Sequence, residues 1–308
     1  MLTQSHVTCN MPNVNMKYHR PTSWNDAVAL KTEDPSALPM NGGTDVMVEM
    51  NFDRARPAAL LDLSHLQEIR NWEVAGDEIR IGAGVTFTDL IDDLAVELPG
   101  LAIAARTVGS PQIRNRATVA GNLGSASPAG DAHPPLLATG ATVEAESLRG
   151  VRLIPIDDFY AGVKRSALEP DELIRSVIVP RAAGPQEFSK VGTRNAMVIA
   201  VVSFALAVNV RERTVGTGIG SAAPTPVRAT AAEAFLEGEL GTEGYWETRP
   251  ELSPSLLARF GELVAKAASP IDDVRGTAAY RRQALGVMAQ RALGWTWATY
   301  RAGAAHAG

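Results

Sequence analysis

The stretch from Thr118 to Asp131 constrains this chain most, because it gathers small residues, hydroxyls and one acid into a span that cannot make an ordinary core element. Its glycines, Gly121, Gly124 and Gly130, let backbone N–H groups come close to a ligand. Upstream, Asn41-Gly42-Gly43-Thr44-Asp45 repeats the theme after a short apolar run. Two glycine turns of this kind suit a dinucleotide pyrophosphate: the missing Cβ opens the approach, and clustered N–H groups form an anion-binding nest. Neither turn carries G-x-G-x-x-G or G-x-x-x-x-G-K-[ST], so a Rossmann domain and a P-loop lose their main support. Each turn alone also reads as an ordinary tight turn. Only the pair points to a nucleotide.

The chain of 308 residues suits two domains, each with a sizeable core. A net charge of −5 without a basic block argues against nucleic acid, whose affinity comes mainly from phosphate neutralisation. No apolar run approaches the ~18 residues of a bilayer span. An N-terminal apolar leader segment is also lacking, so a cytoplasmic protein with a loose tail over residues 1–12 is expected. The one cysteine, Cys9, forbids an internal disulfide and cannot hold an iron–sulfur cluster, which takes about four ligands. Any cluster must sit on another chain. His6, His19, His65, His133 and His306 lack metal-ligand spacing, and no metal is expected.

Periodicity and capping signals predict an α+β chain. Ser23 with Asp26 starts a helix over 24–30, and 60–63 reads as a short buried strand. A strand over 78–84 precedes a helix opened by Thr86 and Asp89 and running to about 98, with a further helix over 101–108. Strands follow at 141–145, 151–155 and 173–179. The prolines and glycine of 180–185 make a linker. Beyond it, 188–191, 199–210 and 215–221 suggest a small antiparallel sheet. Leu256, Phe260, Leu263, Val264 and Ala267, then Leu285, Met288, Ala292 and Trp295, recur at helical spacing and read as core stripes.

Tyr18, Arg20-Pro21, Gly42-Gly43-Thr44-Asp45, the run from Gln112 to Asn122 and the segment from Ser127 to Asp131 resemble the FAD-binding subunit of the molybdenum hydroxylases, the xanthine dehydrogenase and carbon monoxide dehydrogenase family. Lys190 to Arg194, Ala222 to Arg228 and Ser269 to Arg282 are similar to the domain that follows the flavin domain in these subunits. The resemblance covers nearly the whole chain. One departure is Ala120, where the family usually has glycine.

The resemblance implies a two-subdomain FAD-binding domain of the PCMH type over residues 13–183 and, over 184–302, a small C-terminal domain of antiparallel sheet plus helices. It implies non-covalent FAD on Met40, Asn41, Gly42, Gly43, Thr44, Asp45, Val46, Val108, Thr118, Ala120, Gly121, Asn122, Gly124, Asp131, Leu173, Ile174 and Lys190. Amides of Gly42, Gly43, Thr44, Gly121 and Asn122 would donate to the pyrophosphate. Asp131 would accept from sugar-like hydroxyls, and Lys190 would lie near the flavin. Partners would be a small subunit with two-iron, two-sulfur clusters and a large subunit with the molybdenum cofactor. The flavin would pass electrons on to NAD or another acceptor.

Taken one at a time, the residues allow ordinary readings. Asp131 is equally a cap for a helix beginning near His133. Thr44-Asp45 is equally a turn before a helix, and Leu173 and Ile174 equally core. A self-sufficient flavin oxidase or dehydrogenase of the same broad fold, or a non-catalytic FAD-binding module, stays open at this point.

Overall fold

The computed structural model describes residues 16–242 and 244–305; the expected tail over 1–12, with Cys9 in it, lies outside them, as do His6 and His306. The chain opens with a parallel sheet of β1 (Lys17–His19), β2 (Leu38–Met40) and β3 (Ala59–Asp62) in the order β1-β3-β2. β3 is buried throughout and central, as the apolar run Ala59-Leu60-Leu61 in a parallel sheet should be, and its last residue, the buried Asp62, accepts from the Tyr18 hydroxyl. The crossover is α1 (Trp24–Glu33), started by Ser23, whose hydroxyl accepts from the Asp26 N–H at 3.1 Å. Asp26 accepts from the Thr22 N–H at 2.8 Å, so the reciprocal half of a capping box goes to a neighbour. The short helix α2 (Val46–Asn51) follows the 41–45 turn.

The second layer is a five-stranded antiparallel sheet, β4-β5-β10-β6-β7. Its strands are β4 (Trp72–Ala75), β5 (Glu78–Gly82), β6 (Thr142–Ser147), β7 (Gly150–Pro155) and β10 (Leu173–Pro180), with the hairpin β8 (Tyr160–Gly162) and β9 (Arg165–Ser166) before β10. Between β5 and β6 run α3 (Phe87–Asp93), α4 (Pro99–Arg106), α5 (Pro111–Arg114), α6 (Val119–Ser125) and α7 (His133–Thr139). Thr86 and Asp89 form a complete capping box on α3. That helix stops at Asp93, short of 98, and the chain restarts at Pro99. Proline disfavours helical backbone at the residue before it, and Leu98 has φ −132° and ψ 59°. After β7 comes α8 (Ile156–Phe159).

In the C-terminal part, β11 (Gln186–Val191), β12 (Val202–Asn209) and β13 (Thr214–Gly220) pair in sequence order as an antiparallel meander. It is backed by α9 (Thr230–Thr242), α10 (Tyr245–Thr248), α11 (Pro254–Ala267) and α12 (Ala278–Ala305). Phe204, Leu236, Phe260, Leu285 and Leu293 centre its core. Trp295 is not in that core: it is 52% exposed, whereas Trp297 is 2% exposed. The buried stripe of α12 advances through Leu285, Ala289, Ala292 or Leu293, then Trp297 and Tyr300, which keeps the helical period better than a step from Ala292 to Trp295.

The two parts meet backbone to backbone. Gly216 and Gly218 alternate onto one face of β13, where a Cβ would overlap the carbonyls of Ala138 and Pro134 in α7. Ala104, Ala138, Phe188 and Ala205 fill the adjoining seam with short side chains. α4 and α7 are thereby held against the C-terminal sheet, and the loops of that sheet reach the site described next.

Candidate functional site

Three segments converge on one cavity of about 1120 Å³, slightly beyond the usual range for small-ligand sites. They are the 41–45 turn, the helix α6 and the start of β10. In the first, Gly43 takes φ +75°, a conformation in which an L side chain is strained. A Cβ on Gly42 would overlap the carbonyl oxygen of Arg116, so the backbone leading into α6 lies directly on the first turn. This approach joins the two glycine motifs. Asn41 Nδ2 donates to the Ala83 carbonyl at 3.2 Å, while Asp45 precedes α2 without a capping bond.

The second motif is a helix, not the tight turn its composition suggests. Thr118 is its N-cap, the hydroxyl accepting from the Gly121 N–H at 2.9 Å and the carbonyl from the Asn122 N–H at 3.0 Å. These are the two amides expected to face a phosphate, and the helix itself takes them. The amides left without an intrahelical acceptor by helix geometry are those of Val119 and Ala120. Ala120 sits in helical backbone, which needs no glycine, so the departure from the family residue leaves the conformation intact. A Cβ on Gly121 would meet only Thr118 Oγ1, at 3.1 Å, and one on Gly124 only Ile174 Cδ1, at 4.0 Å. Both glycines line the cavity, and the space their side chains would fill belongs to it.

Leu173 and Ile174, both buried, border the cavity where β10 begins. A bulge between Ile174 and Ser176 interrupts the pairing with β6 there, a device that re-aims side chains beside sites. The other expected residues on its wall are Met40, Thr44, Val46, Val108 and Asn122, with Asn41, Gly42, Gly43, Asp45, Thr118 and Ala120.

Asp131 and Lys190 do not line it; they hold each other. Lys190 Nζ donates to Asp131 Oδ2 at 2.6 Å and to the Thr107 carbonyl at 3.2 Å, and the Thr107 hydroxyl reaches the same carboxylate at 3.3 Å. Both side chains are 8% exposed. Burial pushes the Asp131 carboxyl above its ordinary range, against the pull of Lys190. Nor does Asp131 cap α7, whose N-cap is Ala132 with no side-chain bond. The remaining oxygen, Oδ1, is buried without a partner. Two residues on, His133 is fully buried, with Nδ1 2.9 Å from the Tyr160 hydroxyl. Burial lowers its pKa to about 3, so the ring is neutral in ordinary buffers.

Several cavity residues escape the sequence reading. Lys31, Phe87, Ile113 and Glu172 come from the N-terminal part, and Arg194, Met197, Ile199 and Arg275 from the C-terminal loops. Arg275 is held by Asp273, which takes its Nη1 at 3.0 Å and its backbone N–H at 2.8 Å. The amides of the capped helix, the open glycine faces and the cations Lys31, Arg194 and Arg275 make a donor set fit for an extended, doubly anionic ligand. Among the described residues, no histidine lines the cavity.

Residues 14–182 match the family described as the FAD binding domain in molybdopterin dehydrogenase, and residues 187–296 the CO dehydrogenase flavoprotein C-terminal domain. The xanthine dehydrogenase FAD-binding subunit of Escherichia coli O157:H7 is 35% identical over 70% of this chain and 77% of its own length. The nicotine 6-hydroxylase medium subunit of Paenarthrobacter nicotinovorans is 32% identical over 86% of this chain and 92% of its own. A chain of the carbon monoxide dehydrogenase of Hydrogenophaga pseudoflava superposes with a TM-score of 0.83 at 29% identity, covering 92% of this chain and 97% of that one.

Proposed function

The chain belongs to the FAD-binding subunits of the molybdopterin dehydrogenases, the medium subunits of xanthine and carbon monoxide dehydrogenase-type complexes, and from that membership we propose that it is the electron-exit subunit of such a complex. One FAD is held non-covalently in the cavity. The carrying observation is that two separate glycine motifs, joined where Arg116 meets Gly42, open onto a single cavity. The non-covalent reading is supported by His133, the histidine of the second motif, which is fully buried outside the cavity wall.

When bound, FAD supplies a centre that takes up electrons singly and releases them as a pair. The residues of this chain bind and place it. Gly121 and Gly124 leave room along α6, and the amide of Ala120, on the cavity wall, is free for anionic oxygen. Leu173, Ile174 and Phe87 exclude water from the wall. Lys190, already paired with Asp131, acts on the site by docking the C-terminal sheet and not as a direct ligand.

Electrons arrive from iron–sulfur clusters on a small partner subunit, because this chain's lone Cys9 cannot hold a cluster. A molybdenum-bearing large subunit oxidises the substrate, and NAD is one candidate acceptor. No described helix is long and apolar enough to cross a membrane. A domain division at 183/184 is supported by the separate cores of the two parts.

The test is reconstitution. The FAD-loaded chain alone should keep its flavin oxidised in the presence of a purine, an aldehyde, an N-heterocycle or carbon monoxide, and bleach only with both partners added. Substrate-dependent bleaching of the isolated chain would instead establish a self-sufficient flavin dehydrogenase.

A further inference from the structure

Lys31 is a buried cation that the fold leaves without a counter-ion. Its residue is 6% exposed, and its Nζ donates to the carbonyls of Pro35 and Ala37, both at 2.7 Å. Among the described residues no carboxylate lies within ion-pair distance of it. The other deeply buried cations differ: Lys190 has Asp131 and Arg281 has Asp273. Burial pulls the Lys31 pKa down, with Asp34 and Asp171 acting only from a distance. A buried charge without a partner is costly, and an ammonium has three protons, of which the loop carbonyls take two. Lys31 also lines the cavity, together with Pro35, Leu38 and Pro39.

Its place along the cavity is fixed by β2. Ala37, which binds the ammonium, stands just before that strand, and Asn41, which opens the glycine turn, just after it. At about 3.3 Å per residue the two ends are roughly 10–13 Å apart, which is the reach of a nucleoside and too far for a phosphate resting on the turn. The accessible part of the cavity wall includes Met197 and Ile199, each 54% exposed, whereas Lys31 is buried. A ring that exchanges electrons with partner proteins must occupy that accessible part.

We infer that Lys31 is the recognition residue for the adenosine half of the dinucleotide, its third N–H donating to a ring nitrogen or ribose oxygen beside the buried Lys31 wall of the cavity. This rests on the proposed FAD site. An ammonium donor matches the acceptor nitrogens of adenine and the oxygens of ribose, which the two loop carbonyls leave one N–H free to reach.

The experiment measures dissociation constants of FAD, ADP and FMN on the flavin-free full-length chain, for wild type, Lys31→Met and Lys31→Gln. Lys31→Met should weaken FAD and ADP by a common factor of about ten or more and leave FMN unchanged, with Lys31→Gln, which keeps a donor, falling less. Unchanged ADP affinity in a folded Lys31→Met protein overturns the inference. So does an FMN affinity that falls as far as that of ADP, because Lys31 would then only clamp the 34–37 loop. A wild type that binds no FAD overturns the functional reading itself, and the two failures are told apart by that control.

Discussion

The two glycine motifs look alike in sequence and owe their shapes to different forces. The 41–45 turn is set by backbone: Gly43 is left-handed, and Gly42 is pressed against the Arg116 carbonyl. The 118–131 stretch is set by side chains at its two ends, the Thr118 cap on one and the buried Asp131 and His133 on the other. Glycine in the first is a requirement of folding. At Gly124 it is a requirement of the cavity, because a Cβ there meets only Ile174 Cδ1 at 4.0 Å, and at Gly121 it keeps the cavity open and spares the Thr118 hydroxyl, 3.1 Å from a Cβ.

The largest effect should fall on the far end of the second motif. Asp131→Ala leaves Lys190 buried and unpaired and should lower the stability of the flavin-free chain by about 3–5 kcal/mol. Asp131→Leu combined with Lys190→Met should recover most of it in paired denaturant titrations. Equal losses in the single and double variants would show that the pair does not carry this end.

His133 gives that same end a pH dependence. Its folded pKa, about 3, lies below the ordinary 6.5, so between those values the unfolded chain takes up a proton that the folded chain refuses. Stability is therefore lost as pH falls from about 6.5 toward 3, by up to about 4–5 kcal/mol if the whole shift is expressed. His133→Leu should flatten that part of the melting-temperature profile, and a profile that keeps the wild-type slope contradicts the assignment.

For the first motif, Gly42→Ala should cost about 2–3 kcal/mol in the flavin-free chain, since the methyl meets backbone that cannot rotate away. A neutral Gly42→Ala would remove the claimed contact between the motifs. The smallest expected change is Thr118→Ala, about 1 kcal/mol for the lost cap. If it proved as damaging as Gly42→Ala, the contrast between a backbone-built and a side-chain-built motif would collapse.

Local signals were readable to within a residue or two where one side chain decides the outcome. Ser23 starts α1, Thr86 and Asp89 cap α3, and the paired glycines lie where a cavity forms. Conformation was less legible. The Thr118–Ser125 stretch is rich enough in glycine to read as a turn, yet one hydroxyl is enough to nucleate a helix there. The Asp131–Lys190 pair and the cavity contributions of Lys31 and Arg275 were hidden for another reason. The pair and Arg275 depend on segments far apart in sequence that meet only when the C-terminal part docks, and Lys31 reads as an ordinary exposed helix lysine until the 34–37 loop folds over it, so no local pattern records either meeting.

The central claim is that the cavity over α6 holds FAD, and Gly121→Val tests it most directly because the added side chain lies on the cavity wall and its Cβ touches only one protein atom, the Thr118 hydroxyl oxygen. The account predicts that the wild-type chain binds one FAD, released into solution by acid precipitation. The variant should keep its far-UV circular dichroism and melting temperature while binding FAD at least about 100-fold more weakly, a difference of roughly 2.7 kcal/mol. A Gly121→Val chain that folds and binds FAD as tightly as wild type would contradict it.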